Sequence, residues 1–174
     1  MVVEPGRSNT APACPDADEL ALVKQWLALQ SGVRRLTDDM LATVEAEQGL
    51  APSSFQALMF LLTAPGRAAP MNQLSAALGF STAGTTKLVD RLEDAGLVGR
   101  RPSAEDRRVV YTELTPAGAD SVHTASRVLA RALRARVVAP LGEDAFQALV
   151  DAVGSLAPFG TRAPAPAPAV SSSP

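Results

Sequence analysis

The sequence is poor in the residue types from which most active sites are built. Of its 174 residues one is cysteine (Cys14) and one is histidine (His123). No disulfide can therefore form within the chain, and there is no Cys/His set for a zinc site. Cysteine use this sparse suits the cytosol, the expected compartment. Aromatic residues make up 4% of the chain and the formal net charge is only -2. A nucleic-acid partner would thus have to be held by a local cluster of cations, not by the charge of the whole molecule. No apolar run approaches the roughly 18 residues of a membrane span, and the amino-terminal stretch shows no basic start leading into an apolar core. Neither insertion nor export is expected. What the chain does have is 47% hydrophobic residues, enough to build the core of one soluble domain.

Both ends, residues 1–15 and 158–174, are rich in Pro and small polar types without periodicity and read as flexible tails. Between them lies one domain, 16–157. Its first stretch places Leu22, Trp26, Leu29, Val33, Leu36, Met40 and Val44 at nearly heptad spacing, which predicts a helix over about 18–48. Gly32 weakens that helix, and Gly49 with Pro52 ends it. A second helix carries Phe55, Leu58, Met59 and Leu62, with Ser53 and Gln56 at capping-box spacing. "PGRAAP" then breaks the chain. Two short helices follow, about 71–78 ending at Gly79 and about 82–95 with Ser81 as N-cap and Gly96 as stop. Helices this short joined by "GFS" suggest a helix-turn-helix. Strands over 98–102 and 108–114 form a hairpin. Thr115 and Pro116 open a long helix carrying Val122, Leu129, Leu133 and Val137, and Phe146, Leu149, Val150, Val153 and Leu156 stripe the last one.

Helix-turn-helix followed by a hairpin is a winged helix, mainly α with a small β-wing. The hairpin "GRRPSAEDRRVVYTELTPAG" carries Arg100, Arg101, Arg107 and Arg108. Helical spacing over 82–95 turns Thr85, Leu88, Val89 and Leu92 inward and leaves Thr82, Ala83, Thr86, Lys87 and Arg91 outside. Together with Ser81 this outer face is short and uncharged at its front and basic behind. Free amides at the helix start suit phosphate, small residues can enter a major groove, and Lys87 can reach a phosphate or a base. Arg107 and Arg108 at the hairpin tip suit the narrow, negative minor groove of A·T-rich DNA. Asp106 would repel DNA and is read as a brace that orients Arg108. The plainer alternative is a solvated hairpin whose charges neutralise one another.

The stretches "LSAALGFSTAGTTKLVDRLEDAGLVGRR" and "DRRVVYTELTPAG" resemble the MarR (multiple antibiotic resistance regulator) family of winged-helix transcription factors, and the resemblance covers about 20–157. It implies that Lys87 contacts DNA from the recognition helix, that Arg108 enters the minor groove and that Asp106 orients it. It also implies a homodimer built from helices in 16–48 and 115–157 around a DNA-binding lobe at 52–114. A small aromatic or anionic effector bound between the lobe and the dimer helices would release the DNA. Gly84 and Thr85 depart from the family pattern, so sequence preference does not carry over.

Other features give weaker signals. "GFSTAGTTK" imitates a phosphate loop, but Lys87 falls too late for one. Arg127, Arg131, Arg134 and Arg136 read as a solvated or ion-pairing face ahead of a second DNA surface. Cys14 has no partner thiol for redox sensing within the chain, and His123 has no nearby second ligand. No cofactor or metal is expected, and no set of groups for enzymatic chemistry stands out. The expected function is a dimeric, sequence-specific transcriptional regulator, a repressor released by a ligand, binding a pseudo-palindromic operator. The alternative is a winged-helix protein-interaction module that does not bind DNA.

Overall fold

The computed structural model describes residues 14–103 and 109–156. The expected tails, apart from Cys14 and Pro15, and the expected roles of Asp106, Arg107 and Arg108 lie outside the described residues. The chain divides into two compact units at Leu129/Ala130.

In the first unit, α1 (Ala17–Gln48) opens on a full capping box. The Asp16 carboxylate accepts from the Glu19 amide at 2.8 Å, and the Asp16 amide donates to Glu19 Oε2 at 2.9 Å. The helix runs unbroken through Gly32 for 32 residues, about 48 Å at 1.5 Å per residue. It stops at Gly49 (φ +64), whose amide donates to the Glu45 carbonyl. Helix α2 (Pro52–Thr63) starts differently from the expectation. Its N-cap is Ala51, with no side-chain capping bond. Pro52 takes the first helical position, where its missing N–H costs nothing, so Ser53 already lies within the first turn and cannot act as the cap with Gln56.

After α2 the chain turns through Gly66 and Arg67, both at positive φ, into a strand where "PGRAAP" predicts only a break. This strand, β1 (Ala68–Pro70), is the edge of a three-stranded antiparallel sheet ordered β1-β3-β2, with β2 at Val98–Pro102 and β3 at Val110–Leu114. Ala69 pairs with Thr112 and Arg100 also pairs with Thr112, so β3 is central. Three residues ending in proline show no alternation from which a strand could be read, and an edge is where proline is tolerated.

Between β1 and β2 lie α3 (Met71–Leu78) and α4 (Thr82–Asp94), joined by a three-residue turn. Helix α5 (Pro116–Leu133) follows β3. Leu58 and Leu61 of α2, Leu74 of α3, Leu88 and Val89 of α4, and Val122 of α5 are almost completely buried in one cluster. Each such side chain contributes roughly 1.5–3 kcal/mol of burial. Gly118 in the first turn of α5 belongs to this packing, because a Cβ there would sit 2.0 Å from the Leu97 carbonyl oxygen.

In the second unit the end of α5 passes into a π-helical turn, Arg134–Val138, and a short helix α6 (Ala139–Leu141). The regular helix expected through Val137 is widened just ahead of Pro140, which cannot donate to the Arg136 carbonyl and would crowd it. After Gly142, α7 (Glu143–Leu156) buries none of its residues; Leu149, Val150, Val153 and Leu156 all face solvent in the single chain. Among the described residues no helix is long and apolar enough to cross a membrane.

Candidate nucleic-acid interface

Helix α4 is set by its two ends. At the start the Ser81 hydroxyl accepts from the Gly84 amide at 3.1 Å, a side-chain N-cap. Gly84 leaves room for this cap, since a Cβ there would lie 3.3 Å from Ser81 Oγ. At the far end the Leu97 amide donates to the Leu92 carbonyl and the Gly96 amide to that of Glu93. This is a Schellman closure, with Gly96 at φ +70. The next helix is fastened to the same point. Thr115 Oγ1 donates to the Gly96 carbonyl at 2.7 Å and accepts from the Gly118 amide at 3.0 Å, capping α5.

With both ends fixed, α4 presents the faces its spacing predicts. Thr85, Leu88, Val89 and Leu92 are buried, while Ser81, Thr82, Ala83, Thr86, Lys87 and Arg91 are exposed together on one side. The amides of Thr82 and Ala83 belong to the open first turn, where an anion is favoured. The Thr86 hydroxyl donates to the Thr82 carbonyl at 2.9 Å, so toward a ligand it offers an acceptor. Lys87 and Arg91 form no ion pair among the described residues, which leaves both charges available to an outside partner.

The hairpin arginines divide into two groups. Strand alternation puts Arg100 on the same side of β2 as buried Val98, facing α4, where it bridges two carboxylates: Nη2 reaches Asp90 and Nη1 reaches Glu93. The hydrogen bond to Asp90 is the largest effect raising the Arg100 pKa above its ordinary value; partial burial opposes it and the charges of Glu93 and Asp90 add to it. Arg101 points to the other face, with Nε 3.3 Å from Glu113 and its guanidinium 5.4 Å from the centre of the Tyr111 ring. Two of the four arginines are thus spent inside the protein. The sequence shows the pattern but not this division, because Asp90 and Glu93 lie in a different element. Beyond Pro102 the Ser103 amide donates to the Val109 carbonyl at 2.8 Å, which continues the β2–β3 pairing to the last described residues on either side of 104–108. Asp106, Arg107 and Arg108 fall within that segment, outside the described residues. Among the described residues no group of His, Cys, Asp or Glu could hold a metal ion.

The MarR family model matches residues 48–109. The transcriptional repressor MprA of Escherichia coli is 32% identical over 100 residues, which cover 58% of this chain. The matched stretch spans about half (54%) of that relative. Among solved structures, the transcriptional repressor CouR bound to a 23-mer DNA duplex superimposes with a TM-score of 0.67 at 27% identity, over 83% of this chain and 99% of that one. AbsC, a MarR family transcriptional regulator from Streptomyces coelicolor, shares the fold with a TM-score of 0.67 at 21% identity, over 83% of this chain and 95% of that one. Residues 48–109 thus resemble the MarR family, and the chain has the winged-helix fold of these structures, mainly helical with a small antiparallel sheet.

Proposed function

We propose that the protein is a dimeric, sequence-specific DNA-binding transcriptional regulator that acts as a repressor. The observation that carries this reading is α4 itself, with its open amides at Thr82 and Ala83, small side chains at its front, and Lys87 and Arg91 on the same exposed face without an ion pair among the described residues. In this reading α4 enters a major groove, Lys87 contacts a phosphate or a base, and Arg107 and Arg108 reach the minor groove with Asp106 bracing Arg108. MprA is named a transcriptional repressor, and CouR is a repressor captured on duplex DNA; both support the choice. The protein acts as a regulator and not as an enzyme, in the cytoplasm, without membrane association.

The homodimer follows from surface that a monomer would leave wet. Leu22, Val23, Trp26, Leu27, Leu29 and Val33 of α1 are each more than half exposed, and α7 carries its own apolar stripe. Soluble monomers rarely expose patches of this kind. We assign 16–48 and 115–157 to dimerisation and 52–114 to the DNA-binding lobe, with tails at 1–15 and 158–174. A small aromatic or anionic effector that favours one spacing of the two recognition helices would release the DNA. Footprinting of the purified protein on genomic fragments that it retains tests the reading. Two protected half-sites about 10 base pairs apart are expected, and a single isolated half-site bound at full affinity would contradict it.

A further inference from the structure

Arg100 joins two elements that differ in their place in the DNA-binding lobe. It sits in the middle of β2, opposite buried Thr112 of the central strand. Its guanidinium divides between Asp90 and Glu93, which lie three residues apart on α4 and so nearly one helical turn apart on the same side. One hydrogen bond would leave the helix free to swivel about the contact. Two bonds from a rigid planar fork to points spaced along the helix restrict both its rotation and its sliding against the sheet. The buried side chains Leu88, Val89 and Leu92 hold the inner face of α4 and the backbone closure at Gly96 its end; the fork adds a directional polar contact on its flank toward β2.

We propose that Arg100, through Asp90 and Glu93, is a positioning residue for sequence reading: it sets the angle at which α4 presents Lys87 to the bases. The inference rests on the DNA-binding reading above. It has an electrostatic rival, in which Arg100 merely cancels two carboxylates that would repel phosphate. The two differ in sign for the variant Asp90→Ala/Glu93→Ala. Removing two negative charges near the interface should tighten binding if only charge matters. If the fork positions the helix, binding should instead weaken.

The experiment measures affinity for a retained genomic duplex and for a random duplex of equal length, in the wild type, Asp90→Ala/Glu93→Ala and Arg100→Lys. Arg100→Lys keeps the charge but loses the planar fork. In both variants the ratio of specific to random binding is expected to fall about tenfold, while affinity for the random duplex holds or rises. A general loss of stability would weaken both duplexes together. Specific binding that is unchanged or tighter in Asp90→Ala/Glu93→Ala, or a parallel loss on both duplexes, would overturn the proposal. Amide exchange in the free proteins is independent of DNA: faster exchange along Val98–Arg101 and Asp90–Asp94 is expected in both variants, and unchanged exchange would overturn the fork. A wild type that binds neither duplex would overturn the DNA-binding reading, and with it the reading role of Arg100.

Discussion

A Cβ added to Gly118 would come within 2.0 Å of the Leu97 carbonyl oxygen and 2.9 Å of Leu114 Cδ1. One of these neighbours is backbone, already bound to the Thr115 amide at 3.1 Å, so relief requires moving the junction of α4, β2 and α5. Gly118→Ala should therefore destabilise the protein by about 3 kcal/mol, the upper end for overpacking. Urea denaturation checks this, and a loss below about 1 kcal/mol would contradict it. The need for glycine is not legible in sequence, where "LTPAG" shows only that one is present; its cause lies 21 residues away at Leu97. Lys87 is the opposite case. Its exposed position is legible from helical spacing alone, and α4 places it as that spacing predicts. Lys87→Ala should either lower DNA affinity uniformly or relax discrimination at one base position by about 1–3 kcal/mol. Binding to a panel of single-base operator variants would check this, and unchanged affinity throughout would contradict it.

At the scale of elements, legibility followed local signals. Helix α4 was readable because Ser81, the spacing of Leu88 and Leu92, and Gly96 all act within one element. Ser81→Ala removes the acceptor for the Gly84 amide and should cost about 1 kcal/mol. It should also fray the turn that carries Thr82 and Ala83, visible as faster amide exchange there; unchanged exchange would contradict the capping role. Strand β1 was not legible, because its three residues are strand only through pairing with Glu113, Thr112 and Tyr111 of β3. The π-helical turn at Arg134–Val138 escaped for a related reason: apolar spacing through Val137 looks helical, and Pro140 acts backward on the turn before it. The arginine-rich hairpin was legible as a cation cluster, but the assignment of Arg100 to Asp90 and Glu93 needed the α4–β2 packing.

For the whole molecule the decisive feature is the apolar face of α1, which one chain leaves uncovered. Trp26 is 56% exposed in the single chain and is the only tryptophan, so its fluorescence reports directly on whether that face finds a partner. Emission should be blue-shifted at micromolar concentration and move red on dilution, and Trp26→Glu should sediment as a monomer. A wild type that sediments as a monomer at micromolar concentration would remove the dimer. The central claim, that this winged helix holds duplex DNA through a local cluster of cations on a protein of net charge -2, is tested most directly by a salt titration of DNA affinity. The logarithm of affinity should fall linearly with the logarithm of salt concentration, by roughly 0.9 for each phosphate neutralised, and Lys87→Ala or Arg108→Ala should each shallow the slope by about one contact if that residue meets a phosphate. A slope near zero in the wild type would contradict the account.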